Sequence, residues 1–156
     1  MMTQPLSATL IERYLRTRGR RYFRGQHDGE FFFVADVHLR RLHVHLEISP
    51  AHPDVLTIRV TPACFFPADD YAWLAQFADT WNEKRRDITA IVHGSSDPRR
   101  IGVEAQQCRW FTEEIAFEEF AEFVDRTLTA AIDLFAGLAP VPGLASPTRA
   151  LVLDAG

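Results

Sequence analysis

The chain has 156 residues and a mass of 17.8 kDa, with 47% hydrophobic and 24% charged residues. That balance excludes a disordered or fibrous chain, and the length suits one domain with a core of its own. The formal net charge is −4, no apolar run nears the ~18 residues of a membrane span, and two cysteines, Cys64 and Cys108, are too few for a disulfide scaffold.

Met1 to Ser7 has neither the basic nor the apolar region of a signal peptide, so a cytoplasmic protein is expected. The charge is unevenly spread. Residues 1–41 carry eight arginines against four acids, and the remainder is acidic. Sixteen arginines stand against one lysine, Lys84. GC-rich coding explains that bias without a functional choice of the guanidinium group.

Ser7 is placed to cap a helix, because its hydroxyl can accept from a first-turn amide. Leu10, Ile11, Tyr14 and Leu15 recur at helical spacing, and Gly19 supplies a left-handed terminator. The first helix is predicted at about 8–18. Arg21 to Gln26 then predicts a short strand leading into the Asp28-Gly29 hairpin signal. Glu30 to Ala35, with Phe31, Phe32, Phe33 and Val34, suits a buried strand. Arg41 to Ile48 alternates, with Leu42, Val44, Leu46 and Ile48 on one side and His43, His45 and Glu47 on the other. Val55 to Thr61 alternates in the same way, and Pro62 ends it. Four strands joined by short turns predict an antiparallel meander with one covered face.

Pro67, Asp69 and Asp70 open a second helix, where carboxylates complement the dipole. Tyr71, Leu74, Ala75, Ala78 and Trp81 form its apolar stripe, and Lys84, Arg85 and Arg86 its cationic end. Ile88 to His93 and Ile101 to Gln107 read as strands around a turn at 94–98. A last helix is predicted from Thr112 to Leu138. Its apolar positions cover roughly 200°, against the ~100° that one contact surface requires. Pro140, Pro142, Gly143 and Pro147 mark residues 139–156 as a loose tail. The expectation is a single α+β domain over 1–138: an antiparallel sheet with helices packed on it, in the order α-β-β-β-β-α-β-β-α.

Four constellations bear on chemistry. His43 and His45, with Glu47 along the strand and His38 in the preceding turn, have metal-ligand spacing, but an exposed polar strand face already explains them. H-x-H supplies only two ligands, so no metal or other cofactor is expected. Cys64 or Cys108 would be a nucleophile only beside a histidine, and neither has a local signature. The pairs Asp69-Asp70 and Glu113-Glu114 fall at predicted helix starts, which accounts for them structurally. The stretch Arg13, Arg16, Arg18, Arg20, Arg21 and Arg24, interleaved with Tyr22 and Phe23, can meet phosphates or an acidic protein surface. A nucleoside-phosphate or dinucleotide loop is absent, as is a nucleophile elbow.

Several stretches together resemble one family. They are Ile11-Glu12-Arg13-Tyr14-Leu15 with Arg18-Gly19 and Tyr22, Val55 to Val60, Phe66-Pro67-Ala68-Asp69-Asp70, and Trp81-Asn82-Glu83. Val103 to Gln106 and Val124 to Leu128 complete the set. Over about residues 9–138 the chain resembles the bacterial YbjN family, described as sensory-transduction regulators. The resemblance implies a fold like that of type III secretion chaperones, commonly dimeric, and a non-enzymatic role in protein binding or regulation. It supplies no catalytic residues. Trp81-Asn82 reads as structural, since Trp81 extends the apolar stripe and Asn82 can bond backbone groups near the helix end.

Three functions are therefore set against one another. The first is a chaperone-like or regulatory protein-binding module. The second is a small-ligand binder or enzyme using a pocket near His43, His45 and Cys64. The third is a nucleic-acid-associated regulator using the arginine-rich edge. A homodimer with an unidentified protein client is expected, because Phe120, Phe123 and Leu134 lie on the surplus side of the last helix and form a candidate interface.

Overall fold

The structure is a computed structural model describing residues 2–37 and 40–138. Thr3–Gln4 forms a short strand, β1, before α1 (Ala8–Thr17). Ser7 caps α1 as the sequence indicates, its hydroxyl accepting from the Leu10 amide at 3.2 Å. Gly19 follows at φ 66°, a left-handed conformation that glycine adopts without a Cβ clash. β2 (Tyr22–Arg24), β3 (Glu30–Val37), β4 (Arg40–Ile48) and β5 (Val55–Pro62) make the meander. Two-residue β6 (Phe66–Pro67) and a single 3-10 turn at Ala68–Asp70 lead into α2 (Tyr71–Lys84). β7 (Thr89–Gly94), β8 (Arg100–Trp110), β9 (Ile115–Ala116) and α3 (Phe117–Gly137) complete the order.

Seven strands form one antiparallel sheet, running β2-β3-β4-β5-β8 with β7 on the far edge of β8. β5 and β6 follow each other along the near edge of β8, from Val55 opposite Trp110 to Phe66 opposite Ile101. The alternation read from sequence decides the faces. Phe31, Phe33, Leu42, Val44, Leu46, Leu56, Ile58 and Val60 are buried beneath the helices. Their register partners place Phe31, Leu46 and Ile58 in one row and Phe33, Val44, Val60 and Ala105 in the next. The α+β architecture expected from the sequence is the one observed. β1 and β9 pair separately and clip the N-terminus to the start of α3.

Several expectations are corrected. The phenylalanine run does not bury both its faces: Phe31 and Phe33 enter the core, while Phe32 and Val34 stay exposed on the other face. Tyr71 is exposed, because the stripe of α2 narrows to Leu74 and Ala78. The last helix starts at Phe117, so Glu113 and Glu114 lie outside its first turn, and Glu118 and Glu119 occupy it instead. Residues 115–116 are held extended by β1.

The candidate interface is the largest correction. Phe120, Phe123 and Leu134 are all buried within the single chain. Tyr14 of α1 meets Phe120 edge-on at 6.2 Å, and Phe111 meets Phe120 at 6.0 Å and Phe123 at 5.9 Å. The surplus arc of α3 is therefore covered by α1 and the segment after β8. His38 and the 139–156 tail lie outside the described residues. Among the described residues, no helix is long and apolar enough to cross a membrane.

Candidate functional site

The helices gather on one side of the sheet, leaving the other side open among the described residues. On this outer face, Glu30 of β3 stands directly opposite Glu47 of β4. Two carboxylates in that cross-strand position repel unless cations separate them. The neighbouring residues do so. Phe32 pairs with His45, and His45 with Arg59. His27 reaches in from the loop between β2 and β3, where Gly29 takes φ 90°.

The hydrogen bonds define the charges. Arg59 Nη1 lies 3.3 Å from His45 Nδ1 and 3.5 Å from Glu47 Oε1. A guanidinium can only donate, so Nδ1 of His45 accepts and its Nε2–H donates to Glu30 Oε2 at 3.0 Å. The Gln26 amide donates to the other Glu30 oxygen at 2.8 Å. That backbone bond, helped by His45 and opposed by partial burial, holds Glu30 below the usual carboxylate range. His27 Nε2 lies 2.9 Å from Glu47 Oε2, and its Nδ1 lies 2.8 Å from the Asp28 carbonyl. Both ring nitrogens thus face acceptors. The Glu47 bond first, and the carbonyl second, raise the pKa of His27. Phe32 stacks on His45 at 4.5 Å and 16°, fixing the imidazole plane.

His27, Glu30 and Glu47 bring one nitrogen and two oxygen donors within 4.8 Å of one another. The sequence reading took Glu47 with His43 and His45 and missed His27 and Glu30. Their signal was the Asp28-Gly29 turn, whose five-residue loop determines what folds back over β4. His43 is exposed on the same face, opposite Thr61 rather than inside the cluster.

Cys64 is not joined to this group. Its Sγ accepts from Arg40 Nη1 at 3.6 Å, and burial pushes its thiol pKa up despite that guanidinium. Burial of that kind opposes the thiolate form that a nucleophile needs. Cys108 Sγ lies 3.5 Å from the Thr57 hydroxyl. Among the described residues, no hydrogen bond joins Cys64 to His43 or His45.

The arginine-rich edge stays largely exposed, but most of its guanidinium groups have partners within the chain. Arg13 lies over Phe117 at 4.0 Å and Arg20 over Phe33 at 4.9 Å. Arg16 and Arg24 both bond Glu12 Oε2, at 3.0 and 2.9 Å. Arg18 donates to both Asp125 oxygens, from Nε to Oδ1 and from Nη2 to Oδ2. These guanidinium groups tie α1 and the turn after it to β2, β3 and α3.

Three aromatic residues mark the open face or its edge strand. Phe23 of β2 is 64% exposed, Phe32 41% and Trp110 at the end of β8 67%. Phe23 pairs with Phe32 across the β2–β3 ladder.

No family model matches this chain, and no curated protein matches its sequence. Among solved structures it is similar to that of YbjN, a proposed transcription regulator from E. coli, with a TM-score of 0.61 and 12% identity. The match covers 81% of this chain and 86% of that one. The resemblance carried by Trp81-Asn82-Glu83 and the flanking stretches thus extends to three dimensions, and this chain has the YbjN-like α+β fold.

Proposed function

We propose that this chain is a non-enzymatic, protein-binding regulatory module that takes its partner on the open sheet face. One observation carries the reading: Phe23, Phe32 and Trp110 are exposed along a face that the three helices leave uncovered. Aromatic side chains are concentrated at the energetic centres of protein interfaces, and an exposed apolar patch with polar neighbours is the usual mark of one. The partner is a protein presenting apolar side chains, bounded by the charged Glu30, Glu47 and Arg59 group. The similar fold of YbjN, itself a proposed transcription regulator, supports a regulatory rather than catalytic role. So does the bonding of Cys64 to an arginine instead of a base.

The test is affinity capture from the native host with three baits: wild type, a Phe32→Glu/Trp110→Glu double variant, and Arg126→Ala on the exposed side of α3. A protein captured by wild type and Arg126→Ala, lost with the double variant, and bound directly once purified supports the reading. An identical captured set with all three baits overturns it.

A further inference from the structure

The cross-strand carboxylates Glu30 and Glu47 raise a question that the protein-binding reading does not answer. The fold places two acids directly opposite each other and then folds a histidine over them. We propose that His27, Glu30 and Glu47 form a binding site for a divalent first-row transition cation of the Zn2+ type. His27 would ligate through Nε2 and each glutamate through one carboxylate oxygen.

The donor set supports the chemistry. One imidazole and two carboxylates match nitrogen- and oxygen-binding transition cations. Mg2+ keeps a near-octahedral oxygen shell and Ca2+ takes about six to eight oxygens, which makes this set a poor one for either. His27 is already oriented as a ligand. Its Nδ1 lies 2.8 Å from the Asp28 carbonyl and its Nε2 faces Glu47, where a bound cation would take the place of the shared proton. Such a backbone acceptor is what commonly fixes the tautomer of a ligating histidine. Around the trio, His45 bonds Glu30 and Arg59 reaches Glu47, so both carboxylates have outer partners that hold them.

The distances require only side-chain adjustment. Donors about 2.1 Å from a tetrahedral ion sit about 3.4 Å apart, against the 4.8 Å that bounds the three here. All three side chains are partly exposed, so water can complete the shell. Gly25 is part of the construction. A Cβ built there would lie 2.0 Å from Glu30 Oε1, so only glycine leaves room for that carboxylate.

The experiment is calorimetric titration of the purified chain with ZnCl2, with MgCl2 as the control, together with thermal unfolding. Expected are one Zn2+ per chain, a raised Tm on binding, and no comparable effect of Mg2+. His27→Ala and Glu47→Gln should each weaken Zn2+ binding at least tenfold. Gly25→Ala displaces the flexible end of Glu30 at little cost to the fold, so it should lose at least tenfold while keeping the wild-type circular dichroism. His43→Ala, outside the trio on the same face, should keep wild-type affinity. Zn2+ binding equally tight in His27→Ala and Gly25→Ala overturns the site, as does no uptake by wild type at about 100 µM, a concentration matching a binding free energy near −5.5 kcal/mol.

Discussion

Asp125 shows how one side chain can hold two elements. It stands on α3, accepts from the Tyr14 hydroxyl of α1, and binds the Arg18 guanidinium just beyond α1. Partial burial raises its pKa, but the bonds from Arg18 and Tyr14 outweigh burial and hold it below the usual carboxylate range. The same arrangement raises the Tyr14 pKa, through burial first and the adjacent carboxylate second. A carboxylate whose folded pKa is depressed stabilises the fold above its unfolded pKa and loses that effect as pH falls through the folded one. Asp125→Asn should therefore be less stable than wild type at pH 7. The gap should stay constant down to about pH 3.9, the unfolded value, and then close below it. Thermal melts from pH 7 to pH 2 check this, and a gap independent of pH would show that the carboxylate charge contributes nothing.

At the scale of elements, the free edge of β7 explains the Trp81-Asn82 pair. The Asn82 amide donates to the Ala90 carbonyl at 2.9 Å and accepts from the Ala90 amide at 2.8 Å. It occupies the position a neighbouring strand would take, while Trp81 Nε1 donates to the Ile88 carbonyl at 3.1 Å. An unprotected edge is a template for pairing with another chain. Asn82→Ala should lose about 1–2 kcal/mol, the value of two net hydrogen bonds. It should also uncover the β7 edge and so promote self-association at high concentration. Denaturant titration and sedimentation measure the two effects, and an unchanged midpoint would remove the argument. The periodicity made α1, the four-strand meander and the turn glycines legible. It could not show that Asn82 faces a strand edge, since that depends on where α2 comes to rest. The site was legible only in part for the same reason. His45 and Glu47 were visible as one alternating face, but His27 and Glu30 join them through a loop conformation and a register that local pattern does not encode.

For the whole molecule, the decisive quantity is the apolar arc of α3. An arc of twice the usual width reads in sequence as a surface left over for a second copy, with cover by Leu10, Tyr14 and Leu15 of the first helix as the competing reading. In the folded chain it marks a helix enclosed on two sides, by the sheet and by α1 with Phe111. Arg109 closes the rim, lying over the Phe111 and Phe123 rings at 4.7 and 5.0 Å. Composition could not separate the two cases, because covering by one's own chain and covering by a partner select the same residues. Energetics can. Removing a buried phenylalanine from a core typically costs about 3–5 kcal/mol, through lost transfer energy and the cavity left behind. Phe120 touches both Tyr14 and Phe111, so Phe120→Ala should lose stability of that order in a single transition whose midpoint does not vary with protein concentration. Phe123→Glu should be harsher, because it buries a carboxylate among rings, beneath Arg109. An interface residue would behave differently: the variant would keep its unfolding free energy at high dilution and lose sedimenting mass. If Phe123→Glu folds with wild-type stability but at a lower oligomeric mass, the core assignment fails and the surplus arc is an interface after all.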